Sequence, residues 1–111
     1  METKAAVTQL AALAQEHRLA IFRLLVQQGE AGLAVGRIAD TLRLANATLS
    51  FHLKTLAQAG LIEARQDGRF IHYSANFTAM NYLLGFLSEN CCAGEPCLTA
   101  PTPCCPTEEN P

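Results

Sequence analysis

A mainly α domain with a β-hairpin wing, in the order of a winged helix-turn-helix, is the fold this sequence predicts. Three observations carry the expectation. Apolar residues recur at helical spacing through five segments ending near Asn90. Across residues 61–74 the period shortens to two, with Asp67-Gly68 between two β-like runs. Ahead of that hairpin lie a short helix, a tight gap and a longer helix, which is the helix-turn-helix order.

Val7, Leu10, Leu13 and Ala14 share one helical face and predict an opening helix of about ten residues. A second helix runs from about Glu16 to Gln28, with Leu19, Phe22, Leu25 and Val26 inward, and Gly29 stops it. A short amphipathic piece follows over Val35–Leu42, with Val35, Ile38, Ala39 and Leu42 on one side. Arg43-Leu44-Ala45 is a turn-length gap, and Asn46 is a good N-cap for the next helix. That helix reaches about Ala59 and directs Leu49, Leu53 and Leu56 inward, with Gly60 ending it. Ala47, Ser50, Phe51, Lys54 and Gln58 are left on its opposite face.

The hairpin pairs residues 61–65 with 69–74. Asn76 caps a final helix to about Asn90, carrying Phe77, Met80, Leu83, Leu84, Phe86 and Leu87. This helix is apolar over more than one stripe, so it faces two partners, its own core and a second surface. A two-fold dimer with the first and last helices at the interface is the expected arrangement.

At 111 residues and 12.0 kDa the chain is one domain, predicted to span residues 1–90, followed by a tail over 91–111. The net charge of −2 is unevenly placed. Arg37, Arg43, Lys54, Arg65 and Arg69 outnumber Asp40, Glu63 and Asp67 in the middle of the chain, within an otherwise acidic molecule. A basic middle points to a local anionic partner. No apolar run is long enough to span a membrane and no signal peptide is visible, so a cytoplasmic protein without a membrane partner is expected. Phosphate-like enzyme chemistry, as in an arsenate reductase, needs an anion-binding loop and a polar cleft, and neither is present; no enzyme is expected.

With the inward leucines fixing the second helix of the pair, Ala47, Ser50, Phe51 and Lys54 are free to face a major groove. The hairpin tip adds Arg69 and Arg65. Helix pairs also occur in domains that do not bind DNA, so periodicity alone leaves both classes open.

Three motifs go further. E-H-R-L-A-I-F-R-L-L (16–25), A-T-L-S-F-H-L-K-T-L-A-Q-A-G-L-I (47–62) and R-Q-D-G-R-F-I-H-Y-S (65–74) resemble, in order and spacing, the ArsR/SmtB family of metal-sensing repressors. The resemblance covers about residues 5–90. It implies a homodimer on a double-stranded, two-fold operator, with recognition helices in major grooves roughly 34–36 Å apart. By the same resemblance Asn46, Thr48, Ser50 and Lys54 contact groove and backbone, and Arg69 acts from the wing. Phe51 stands where many relatives carry a polar or basic residue. His52 flanks the inward leucines and reads as a satisfied, partly buried histidine. Arg18 and Arg23 are open between structural and phosphate-facing roles. His17 and His72 have no second ligand at helical or hairpin spacing and are poor metal candidates.

The inducer has to be read from this chain itself. All five cysteines, Cys91, Cys92, Cys97, Cys104 and Cys105, fall in the last 21 residues, together with all five prolines. An odd count in a reducing compartment argues against structural disulfides. Residues 33–40 contain no cysteine, so the arsenic motif some relatives carry there is absent. The final helix has no histidine and only Glu89 as a carboxylate, so the family's zinc site between final helices is absent too.

Cys91, Cys92 and Cys97 remain as the working set, with Gly94 and Pro96 between them to turn the chain back. Three thiolates without histidine suit a soft ion, and As(III) or Sb(III) takes three sulfurs. Zinc prefers four ligands and would have to recruit Cys104 or Cys105, which are otherwise accessory. Some relatives carry an arsenic site of three cysteines past the last helix, and the resemblance supports that assignment. The expectation is a repressor with no permanent cofactor, released from its operator by As(III) or Sb(III). A thiol redox switch, or a Zn(II), Cd(II) or Pb(II) sensor on the same body, are the competing readings.

Overall fold

A computed structural model describes residues 1–94 of the chain. Five α-helices and three short strands follow one another as α1 (Thr3–Leu13), α2 (Glu16–Gln28), β1 (Leu33–Ala34), α3 (Val35–Leu42), α4 (Asn46–Gln58), β2 (Ile62–Asp67), β3 (Phe70–Ala75) and α5 (Phe77–Ser88). A short 3₁₀ turn occupies Gly29–Ala31, and Cys91–Gly94 forms a turn with left-handed φ at Cys92 and Ala93. This is the winged helix-turn-helix that the periodicity predicts.

The core lies where α2, α3 and α4 meet the base of the sheet. Ile21, Leu25, Ile38, Leu49, Leu56 and Leu61 have essentially no exposed surface. Each contributes about 1.5–3 kcal/mol by leaving water. Leu49, Leu53 and Leu56 recur at helical spacing on α4, so one stripe of that helix is anchored and the opposite stripe is free.

The sheet is antiparallel in the order β1-β3-β2. Ile62 pairs with Ala75 and Asp67 with Phe70, which leaves Gly68-Arg69 as a two-residue loop at the tip. The expected turn sat one residue earlier, at Gln66-Asp67-Gly68. The left-handed φ of +64° at Gly68 explains the shift, because glycine supplies the first loop position without a steric penalty. Strand β1 was not expected. It is two residues long, pairing Leu33 with Tyr73 and Ala34 with His72, too short to show a period.

Two further expectations are corrected: Leu19 does not face inward, and Asn46 is not the cap of α4. On α1 the buried residues are Ala6, Gln9 and Ala12, while Val7 and Leu10 stay exposed. Small residues let α1 approach its neighbours closely, and Gln9 Nε2 donates to the Ala59 carbonyl at 3.5 Å. Leu19 of α2 is likewise exposed, at 45 %, and Ile21 takes the inward position. Asn46 is the first residue of α4 and not its cap; Ala45 holds the cap position, with no side-chain hydrogen bond.

Asn76 does cap α5, accepting from the Ala79 amide at 3.1 Å. It also ties α5 to the connection between α4 and β2. Its Nδ2 donates to Gly60 O at 3.1 Å and its backbone amide to Leu61 O at 2.8 Å, so the start of α5 is bonded to the segment that ends α4. Only Leu83 of α5 is buried; Leu84 and Leu87 are more than half exposed, as are Tyr82 and Val7. The second apolar surface expected of this helix is therefore present and uncovered among the described residues.

Candidate nucleic-acid interface and cysteine-bearing helix end

The free stripe of α4 exposes Ala47, Ser50, Phe51, Lys54 and Gln58, as its spacing predicts. Asn46 and Thr48 are exposed in the first turn. Beside this stripe, Ser50 and Lys54 line an open groove of about 670 Å³ whose far wall is Arg69, Phe70 and Ile71 of the wing. Ala34, Val35 and Gly36, where β1 runs into α3, close one end. Among the described residues, the charged residues lining the groove are Lys54 and Arg69, both cationic. A concave, carboxylate-free surface between a helix and a hairpin suits a polyanion.

Four of the five residues assigned by resemblance thus lie on α4, and Arg69 reaches the same groove from the wing. Phe70 and Ile71 were not singled out from the sequence. Phe70 is 63 % exposed at the hairpin tip, and its place one residue after Arg69 was the available signal.

The inner flank of α4 is held by a polar contact. Arg18 Nε donates to the Ala12 carbonyl at 2.6 Å, and Arg18 Nη1 lies 3.4 Å from His52 Nδ1. The His17 ring packs against His52 at a centroid distance of 5.6 Å. Arg18 is therefore structural, joining the end of α1 to α4 through α2, and His52 is buried as expected. Burial, then the Arg18 guanidinium and His17, hold the His52 pKa below the ordinary histidine value, so the ring stays neutral and can accept from Arg18.

At the far end of α5, Cys91 is half-buried and Cys92 exposed. Left-handed φ values at Asn90, Cys92, Ala93 and Gly94 turn the chain sharply just past the helix. The vicinal pair thus sits at the end of the helix with the uncovered apolar face. Cys97, Cys104 and Cys105 lie outside the described residues. Among the described residues no group of three or more His, Cys, Asp or Glu side chains could hold a metal ion. No helix among the described residues is long and apolar enough to cross a membrane.

Comparison with known proteins defines the class. A helix-turn-helix domain family matches residues 13–65. The HTH-type transcriptional regulator YceK of Bacillus subtilis is 40 % identical over 77 residues, covering 68 % of this chain and 76 % of YceK. The structure of HlyU from Vibrio cholerae superposes with a TM-score of 0.64 at 35 % identity, covering 78 % of this chain and 97 % of HlyU. A homodimeric winged helix-turn-helix DNA-binding domain, Mb0332 from Mycobacterium bovis, named as a possible ArsR-family transcriptional regulator, superposes at 0.62 with 29 % identity, covering 78 % and 81 %.

Fold, groove and relatives define a winged helix-turn-helix transcriptional regulator. Within that class the chain belongs to the ArsR/SmtB family, as its three motifs suggested.

Proposed function

We propose that the protein is a homodimeric repressor that binds a two-fold DNA operator and releases it when As(III) or Sb(III) is held by Cys91, Cys92 and Cys97. The observation that carries this reading is the position of the vicinal cysteines at the end of α5, a helix that exposes Tyr82, Leu84 and Leu87 among the described residues. In this reading residues 1–90 bind DNA and dimerise, with Val7 and Leu10 of α1 and Leu84 and Leu87 of α5 at the two-fold interface. Residues 91–111 carry the inducer site, and Cys104 and Cys105 are accessory.

On the DNA side, Lys54 and Arg69 neutralise phosphates on either side of the groove. Ser50, Thr48 and Asn46 present short hydrogen-bonding side chains to base edges and backbone. The uncapped first turn of α4 leaves backbone N–H groups free for a phosphate oxygen.

On the sensor side, a three-thiolate donor set suits a soft ion and must shed its protons to bind, so affinity for the ion rises with pH. Tying residues 91–97 to the end of α5 biases that helix. Asn76 passes the bias on, because it caps α5 and bonds Gly60 directly after the recognition helix α4. A coupling of about 1–3 kcal/mol between inducer and operator would lower operator affinity roughly 5–150-fold.

The test is a gel shift with the full-length reduced protein and its Cys91→Ser, Cys92→Ser and Cys97→Ser variants, one at a time. The expected result is that each binds DNA normally but no longer releases it with arsenite. Normal release by all three variants places the inducer site elsewhere.

A further inference from the structure

Phe51 is an unusual residue to leave in water. It is 63 % exposed, yet it lies at the centre of the outward stripe of α4, one turn from Ala47 and from Lys54. Residues here that meet bases by hydrogen bonding alone would be polar. A phenyl ring cannot donate or accept such a bond. What it can meet in a major groove is the one apolar group displayed there, the C5-methyl of thymine. The ring also meets the His52 ring in an edge contact with centroids 5.6 Å apart, and Arg18 Nη1 lies 3.4 Å from His52 Nδ1 on the inner side. The small Ala47 four residues earlier leaves room for close approach, and Lys54 beside it draws in the backbone.

We infer that Phe51 is a specificity-determining residue that reads a thymine methyl in each half-site of the operator. This rests on the operator-binding reading above. The occupant is DNA and no second protein, because the cationic Lys54 and Arg69 flank this surface and, among the described residues, no carboxylate lines the adjoining groove. The contact is sequence information of a kind the polar residues of α4 do not supply, since hydrogen bonds to thymine O4 ignore the methyl.

The experiment is a selection of random-sequence duplexes by the full-length dimer, run in parallel with Phe51→Ala. Phe51→Ala removes an exposed side chain and should melt with the wild type; Phe51→Leu, which keeps apolar contact, should fall between the two. Wild type is expected to enrich one T·A pair per half-site that Phe51→Ala no longer enriches. In the selected duplex, replacing that thymine by deoxyuridine removes only the methyl. It should weaken wild-type binding about fourfold per half-site, the worth of one buried methyl group. Phe51→Ala should not respond to the replacement. If Phe51→Ala enriches the same duplex, or if deoxyuridine weakens both proteins equally, the assignment is wrong and operator binding still stands. If wild type enriches no duplex at all, operator binding fails and takes the assignment with it.

Discussion

Gly29 and Gly32 offer a matched pair for measuring what the short strand β1 contributes. Both adopt nearly the same backbone conformation, φ 72° and ψ −159° at Gly29 and φ 68° and ψ −161° at Gly32. Only glycine populates this region readily, and an alanine there costs about 1–3 kcal/mol from backbone strain alone. The surroundings differ. A Cβ on Gly29 meets nothing within 4 Å, whereas one on Gly32 overlaps the Tyr73 carbonyl oxygen and lies 2.8 Å from its carbon. Tyr73 is backbone in the central strand, so relief requires β1 to move off β3 and give up the Leu33–Tyr73 pairing. Two ladder hydrogen bonds at about 1 kcal/mol each add roughly 2 kcal/mol to the strain. Gly32→Ala should therefore lose about 3–5 kcal/mol and Gly29→Ala about 1–3 kcal/mol. Urea unfolding by circular dichroism at one fixed protein concentration measures both. Because β1 leads directly into α3, Gly32→Ala should also weaken DNA binding more than Gly29→Ala. Equal stability losses in the two variants, within about 0.5 kcal/mol, would refute the claim that close approach to Tyr73 locks this strand.

Other predictions follow from the same contacts. Asn76→Ala removes the α5 cap and the bond to Gly60, and should lower stability by about 1–2 kcal/mol in urea titrations; an unchanged midpoint would show that neither bond contributes. His52 has a folded pKa below its unfolded value of about 6.5, so the unfolded chain binds the extra proton. Stability is then full above that value and is lost as pH falls from it toward the folded pKa. Urea midpoints between pH 8 and 5 should show this slope, and His52→Gln should flatten it. Val7→Asp and Leu87→Asp alter exposed side chains and should leave the protomer's helical content intact while dissociating the dimer in sedimentation experiments. A dimer that survives both charges would place the interface on another face.

The sequence made the order of elements legible because each helix carries a stripe and the hairpin carries a glycine turn. Helix α2 and helix α3 match their expected bounds, and Leu49, Leu53 and Leu56 face the core as their spacing requires. The errors have a common cause. Apolar spacing records that a face is buried somewhere, not whether it is buried within one chain. Leu19 reads as core and is exposed in the protomer, and on α1 the apolar face of Val7 and Leu10 is exposed while Ala6, Gln9 and Ala12 make the contact with the protomer's own core. Strand β1 escaped notice because two residues have no period. Asn46 read as a cap because Asx residues favour that position, but the chain enters α4 one residue earlier, at Ala45. At the site, the outward stripe of α4 and the place of Arg69 were legible; the Arg18–His52 contact was not, since it joins residues 34 positions apart. The vicinal thiols at the end of α5 follow from position alone, whereas Cys97, the expected third donor, lies outside the described residues.

The central claim couples the terminal thiols to DNA release, and one titration addresses it. Arsenite is added to the fully reduced, full-length protein bound to its selected duplex, while DNA release and thiolate–arsenic absorbance are followed together. The account predicts that both signals rise in step and saturate at one arsenic per protomer. Release by the thiol oxidant diamide in the absence of arsenic, with arsenite itself leaving the complex intact, would contradict it and make the cysteines a redox switch.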